Sequence, residues 1–384
     1  MKRLAIITTH PIQYNAPLFR LLHERQHIAV KVFYTWGQSK EQVYDAKFGM
    51  KRSWDIPLLE GYDYEFVKNI SGKPDSNRFF GVINPGLIKQ LKEAQFDAIL
   101  VYRWSLFSHL RILRSFGGYP KLLFRGDSHL LHVQNRGFKV FVKKRLFRLV
   151  YGRVDKALYV GEHNKAYYLH YGIRQEQLAY APHSIDNERF SMDADKRETN
   201  ARVEREQLSI PDNCIVFLYA GKFYEVKQLQ LLLTSFQQLK GEHYRLLLVG
   251  NGEQEEQLRA AAASDDRILF QAFRNQSEMP TLYRVGDIFV LPSKSETWGL
   301  GVNEAMACGR PAIVSDACGC APELIIDGET GFVFRSGDGL SLLQVMEKFD
   351  DRGIAREMGK NAFAYIQKFS LERVAEVVEE AVLS

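Results

Sequence analysis

Short β-rich apolar runs alternate with helical patterns along most of the chain, and no other feature restricts its fold as much. In the first half the runs are LAIITT (4–9), IAVKVFY (28–34), FDAILVY (96–102), KLLFRG (121–126) and KALYVG (156–161). In the second half they are CIVFLYAG (214–221), YRLLLVG (244–250), RILFQAF (267–273), DIFVLPS (287–293), PAIVSD (311–316) and GFVFR (331–335). Helical patterns such as LQLLLTSFQQL (229–239) and EEQLRAAAA (255–263) lie between them. This alternation implies parallel sheets covered by helices on both faces. Two such series imply an α/β chain of two doubly wound, Rossmann-like domains, and 384 residues suffice for both. Proline and polar turn residues in APHSIDNERF (181–190) mark the boundary, so the expected domains are 1–187 and 188–384. The charged DADKRETNARVERE that follows reads as a loop or an exposed helix start. LERVAEVVEEAVL (371–383) is amphipathic, comes after the last strand run, and is expected to pack back on the first domain.

No run of eighteen apolar residues is present, so no transmembrane helix is expected. MKRLAIITTHPIQY has neither the apolar length nor the small-residue site of a signal peptide and suits a first strand. Cys214, Cys308, Cys318 and Cys320 show no CxxC or zinc spacing and read as free thiols in a reducing cytosol. The net charge of +5 conceals an asymmetry. Residues 1–190 carry 30 Lys+Arg against 16 Asp+Glu, a net +14, and residues 191–384 carry 21 against 30, a net −9. A basic half suits an anionic partner: phosphate, nucleic acid or a membrane surface.

In doubly wound folds ligands sit at the carboxyl ends of strands, and two such domains facing one another would leave a cleft there. The stretch SETWGLGVNEAMACGRP (295–311) follows the strand DIFVLPS. Gly299-Leu300-Gly301 turns into a helix whose first amides suit a phosphate. Glu296 and Glu304 repel phosphate, but a carboxylate accepts two hydrogen bonds and suits the vicinal hydroxyls of a sugar. Two carboxylates flanking an anion site point to a nucleotide sugar; a solvated Glu296 and a Glu304 that only favours the helix start would look alike at this level. Gly221, Lys222 and Lys227 follow CIVFLYA, and the two lysines can converge on a diphosphate or simply be solvated. VGNGE (249–253) is a GxG and not a GxGxxG, weak evidence for a dinucleotide fold. FQAFRNQSEM (270–279), with Phe273 and Arg274, follows a third strand and can carry a base.

Taken in order, these residues resemble the retaining glycosyltransferases of family four, with the GT-B architecture. The shared pattern is glycine, basic residue, lysine (Gly221, Lys222, Lys227), then VGNGE, then strand-PS-x-x-E-x-x-G-L-x-x-x-E-A-x-A-x-G-x-P across the C-terminal half. THPIQYNAPLF (9–19), WDIPLLEGYDYEF (54–66), INPGL (83–87) and FRGDSH (124–129) resemble one bacterial branch of it. The resemblance implies an N-terminal acceptor-binding domain and a C-terminal nucleotide-sugar-binding domain. It implies a hexose-type sugar moved with retention from a UDP- or GDP-sugar to an acceptor hydroxyl, on a glycan or lipid-linked saccharide of bacterial cell-surface polysaccharide. It places Glu304 on the ribose, Glu296 beside the donor sugar, the backbone of Trp298, Gly299 and Leu300 on sugar and phosphate, and Lys222 and Lys227 on the diphosphate. Two departures stand out. Lys222 replaces the more usual arginine, a point charge in place of a fork. His10-Pro11-Ile12-Gln13-Tyr14-Asn15 replaces a Gly-Gly pair, so a backbone phosphate contact there is in doubt and His10 and Gln13 point to a different acceptor pocket.

Lys222, Lys227 and the amides at Leu300 would stabilise the leaving diphosphate without a metal or other cofactor. No DxD pair stands at a strand end, and Asp193-Ala194-Asp195 lies in the polar segment after the boundary. Asp127, or His129 beside it, is the candidate to position the acceptor. Competing readings are a nucleotide-sugar epimerase and a catalytically silent nucleotide-sugar-binding scaffold; Glu296, Glu304, Lys222 and Lys227 together favour the transferase. A nicotinamide dehydrogenase and a nucleic-acid-binding module lack their motifs. RGFKVFVKKRLFRLVYGRVDK (136–156) holds eight Lys/Arg and one Asp. Its apolar residues 138, 141, 142, 146, 149 and 150 form one helical face, with Lys139, Lys143, Lys144 and Arg148 off it. That face either packs on the sheet or brings a cytoplasmic enzyme to the anionic inner surface of a membrane.

Overall fold

The computed structural model describes residues 1–36, 43–45, 50–52, 54–131 and 138–384. The chain divides into two compact units. Unit 1 comprises Met1–Glu41, Pro57–His183 and Leu371–Ser384, and unit 2 comprises Gln42–Ile56 and Ser184–Ser370. No helix among the described residues is long and apolar enough to cross a membrane.

The strands are, in chain order, β1 Arg3–Thr8, β2 Ala29–Tyr34, β3 Val43–Asp45, β4 Met50–Arg52, β5 Asp63–Phe66, β6 Ala98–Tyr102, β7 Lys121–Arg125, β8 Lys156–Tyr159 and β9 Leu178–Tyr180. All but the antiparallel pair β3–β4 form one parallel sheet in the order β5-β2-β1-β6-β7-β8-β9. The central strands are continuous apolar runs because both sheet faces are covered. Side chains alternate between two cores. Leu4, Ile6, Ala98 and Leu100 enter one, and Ala5, Ile7, Ile99 and Val101 the other.

The helix Leu371–Leu383 belongs to unit 1. Its Val374, Ala375, Val378 and Val382 pack with Leu18, Phe19 and Leu22 of the helix Ala16–Arg25. Its Glu379 accepts Nε–H and Nη2–H of Arg25 at 2.8 and 3.0 Å and pairs with His27 Nδ1 at 2.9 Å. Burial alone would raise the Glu379 carboxyl; the bonds from Arg25 and His27 outweigh it and hold its pKa below the ordinary value. A depressed carboxylate contributes stability above its unfolded pKa and loses it as pH falls through the folded one. Glu379→Ala is therefore expected to cost about 1–3 kcal/mol at neutral pH. In urea titrations its gap from the wild type should close on acidification. Coincident midpoints at neutral pH would show that the pairing carries no weight.

The helix Phe138–Tyr151 carries apolar residues on two sides. Phe147, Val150 and Tyr151 face the core, whereas Phe141, Val142, Leu146 and Leu149 are exposed. Two apolar arcs share the helix, and the aromatic cluster of Phe124, Tyr167 and Tyr171 selects the arc carrying Phe147. Residues 136 and 137 of the basic segment lie outside the described residues.

Unit 2 holds β10 Ile215–Ala220, β11 Tyr244–Val249, β12 Ile268–Gln271, β13 Ile288–Leu291, β14 Ala312–Ser315 and β15 Gly331–Phe334. They form a parallel sheet in the order β12-β11-β10-β13-β14-β15. Chain order runs outward from β10 on one side and resumes on the other at β13, in register Phe217 to Ile288. That reversal makes the carboxyl ends of β10 and β13 the switch point at which doubly wound sheets bind ligands. The segment after the boundary is helical, Ala194–Gln207, so Asp193 and Asp195 stand at a helix start.

Candidate functional site

The two loops at the switch point of unit 2 carry the charged residues singled out above. From the β10 side, Lys227 closes a 3₁₀ turn, Glu225–Lys227. From the β13 side comes Glu296, and Lys227 Nζ donates to its Oε2. Both side chains are about one-fifth exposed. The backbone knits the same loops together, Lys294 N–H donating to Val226 O at 2.8 Å. An ion pair held this way keeps one cation and one carboxylate in fixed places at the end of a sheet.

Close backbone packing sets these loops. A Cβ on Gly250 would lie 1.9 Å from Gly221 O, and one on Gly252 2.6 Å from Phe223 O. The GxG after β11 thus admits the Gly221–Phe223 loop against it, a structural role that needs no dinucleotide. Tyr219, buried under that loop, donates its hydroxyl to Lys222 O at 2.8 Å. On the other side, Gly319 N–H donates to Glu296 O and Cys320 N–H to Trp298 O, at 3.0 and 3.1 Å.

Gly299 begins the helix Leu300–Ala307 with φ +105°, and a Cβ there would meet Leu291 Cδ2 at 2.6 Å. Its N-cap is Gly299, which has no side chain to bond the first amides, and Val302 N–H donates to Gly299 O at 2.9 Å. Trp298 is buried, and its Nε1–H donates to Asn303 Oδ1 at 2.9 Å. Its indole buttresses the turn. Glu304 is 3% exposed and accepts the hydroxyl of buried Tyr283 at 2.6 Å. Burying a carboxylate is costly unless it is hydrogen-bonded.

Arg274 is held by Glu204 and Glu278, each at 2.8 Å, tying the helix Ala194–Gln207 to the start of Met279–Val285. Phe273 beside it is half-buried. Arg274 is thus engaged within the protein through Nη1 and Nη2.

Unit 1 has its own switch point, between β1 and β6. His10 follows β1, with Gln13 three residues on, and pairs through Nδ1 with Thr9 Oγ1 at 2.9 Å. Burial, and then the charge of Arg103, lower its pKa to about 4, so its ring is neutral at pH 7. Arg103 follows β6 in the left-handed region, φ +62°, its Nε donating to Ser105 Oγ at 2.7 Å. After β7, Asp127 is exposed and His129 half-buried, His129 Nδ1 accepting from Leu131 N at 3.3 Å. His183, half-buried by exposure, has its pKa lowered to about 4 by desolvation and then by Arg125, with Asp127 opposing. His10, Arg103 and Asp127 therefore stand on one carboxyl edge of unit 1.

Arg103, Tyr219, Tyr283 and Asn303 were not singled out in the sequence. Arg103 directly follows the strand run FDAILVY, and strand-end position could have flagged it. The other three act by holding a loop or carboxylate whose neighbours only the fold supplies.

Residues 200–364 match the glycosyl transferases group 1 family. The chain is 28% identical over 222 residues to a D-inositol 3-phosphate glycosyltransferase of Streptomyces bingchenggensis, covering 54% of this chain and 47% of that protein. It spans about half the length of the curated relatives it matches. Among solved structures, the fold resembles sucrose-phosphate synthase of Thermosynechococcus elongatus, with TM-score 0.74, 20% identity, and 99% of this chain and 98% of that one covered. It equally resembles the Anabaena protein HepE in complex with UDP, with TM-score 0.74, 18% identity and full coverage of both chains. The fold is the GT-B fold, two Rossmann-like domains with parallel sheets.

Proposed function

We propose that the protein is a retaining glycosyltransferase that moves a hexose-type sugar from a UDP- or GDP-sugar to an acceptor hydroxyl, without a metal. The acceptor is a glycan or lipid-linked saccharide of bacterial cell-surface polysaccharide, handled at the cytoplasmic side of the membrane. The observation that carries this reading is the Lys227–Glu296 pair at the β10/β13 switch point, beside the helix start at Gly299 and the buried Glu304. Negative charge builds on a departing nucleoside diphosphate, and a fixed ammonium with helix amides stabilises it without reorganising. Lys222 adds a second cation from the same loop. Glu296 sits beside the donor sugar and Glu304 takes the ribose hydroxyls, while the backbone at Trp298, Gly299 and Leu300 meets sugar and phosphate. Asp127, with His10, Gln13 and His129, serves the acceptor. The UDP bound by HepE, a protein of like fold, supports a uridine donor.

The test is thermal stabilisation by UDP, GDP, ADP, CDP and NAD, followed by donor turnover with saccharide acceptors. A nucleotide at one hundred times its dissociation constant adds about 2.7 kcal/mol of stability. One nucleoside diphosphate should shift the midpoint, its sugar conjugate should release it only with acceptor, EDTA should change nothing, and the product should keep the donor's anomeric configuration. Stabilisation by NAD alone, or by none of the five, would sink the reading.

A further inference from the structure

We propose that the exposed face of the helix Phe138–Tyr151 is a docking surface for an anionic phospholipid bilayer. Phe141, Val142, Leu146 and Leu149 are 59, 49, 50 and 60% exposed, although large apolar side chains are the ones a fold ordinarily covers. At 3.6 residues per turn they fall on one arc of about 140°, and the rest of the circumference holds Phe147, Val150 and Tyr151, which are buried in the core of unit 1. The helix is thus anchored by one side and presents a second apolar side to solvent. Four large side chains in one arc form a patch, which scattered surface apolars do not.

Charge selects the occupant. Arg145 lies within the exposed arc, its guanidinium carbon 5.9 Å from the centre of the Phe141 ring. Arg148 borders the arc, half-buried Lys144 lies between it and the core side, and Arg153 follows just beyond the helix end. No aspartate or glutamate occurs from Ser128 through Val154. A protein partner of ordinary composition would not require that. A bilayer does: apolar side chains enter the acyl boundary, while long basic side chains keep their heads among phosphates. Nucleic acid would use the cations but leave the apolar arc in water. The inference does not depend on the transferase reading, though it would place such an enzyme beside a lipid-linked acceptor.

The experiment is co-sedimentation of the full chain with vesicles of phosphatidylcholine alone and of phosphatidylcholine with phosphatidylglycerol, over a range of salt. Three proteins are compared: wild type, Phe141→Ser/Leu149→Ser, and Lys144→Glu/Arg148→Glu. The wild type should bind the anionic vesicles at low salt and release them as salt rises. Both double variants should bind about tenfold more weakly or worse. Phe141, Arg148 and Leu149 are exposed and Lys144 is half-buried, so an unaltered melting midpoint for each variant is required to verify the fold without reference to activity. Equal recovery with both vesicle types, no recovery with either, or wild-type binding by the apolar variant would overturn the proposal. So would a lipid-free dimer of the wild type that Phe141→Ser/Leu149→Ser dissolves, since the face would then cover a second copy of the chain.

Discussion

Lys227→Ala is expected to lower kcat by about 10²–10³-fold, the usual loss when one preorganised group facing developing negative charge is removed. Lys227 is fixed from two sides. Its own turn places it at the carboxyl end of β10, and Glu296 holds its ammonium from the β13 loop. The same pairing offers a different explanation of any loss, because removing Lys227 also leaves a partly buried carboxylate without its cation. Lys227→Ala/Glu296→Gln separates the two. If the lysine only neutralises Glu296, the double variant regains stability and is as fast as Glu296→Gln alone. If it serves the leaving diphosphate, stability returns and the rate falls well below that of Glu296→Gln. A double-mutant cycle on melting midpoint and on kcat gives the answer, since neighbours in contact are where additivity fails. Full activity in Lys227→Ala alone would remove it from the chemistry.

The second large effect concerns Glu304. Glu304→Gln keeps the shape and the contact with Tyr283 but replaces a charged acceptor with a neutral amide. A hydrogen bond to a charged group contributes about 1.5–3 kcal/mol, so nucleoside diphosphate affinity should fall roughly 10- to 100-fold. The loss should appear in KM for the donor and in the thermal shift. Tyr283→Phe is the control. It removes the 2.6 Å bond while leaving the carboxylate in place, so it should cost stability more than donor affinity. Unchanged nucleotide affinity in Glu304→Gln would reduce Glu304 to a buried structural carboxylate.

The residues at the unit 2 switch point were legible because strand ends and glycine turns are local features. DIFVLPS announces a strand, and Gly299 announces the turn that follows, so Glu296 could be placed without knowing any distant neighbour. That Glu296 meets Lys227 was not legible, since 69 residues separate them and only the order of β10 and β13 brings the loops together. Arg274 shows the same limit. Its position after β12 is a local feature, but its pairing with Glu204, 70 residues earlier in a charged segment of undecided structure, is not. The helix Phe138–Tyr151 stayed undecided in the sequence for a different reason. Periodicity counts apolar positions, and a helix with two apolar arcs gives no local sign of which one the core receives.

Unit 1 is assembled from separated stretches of chain, and its helix Leu371–Leu383 is synthesised after the whole of unit 2. Until that helix emerges, Leu18, Phe19, Leu22 and Val30 lack the valines that cover them. Unit 2 can therefore complete its sheet first, while unit 1 waits on the ribosome with an open apolar face. Nascent unit 1 is the stage at which a chaperone has most to shield. A fragment ending at His183 inherits that open face permanently. In making this protein, the order of synthesis and the order of completion run in opposite directions.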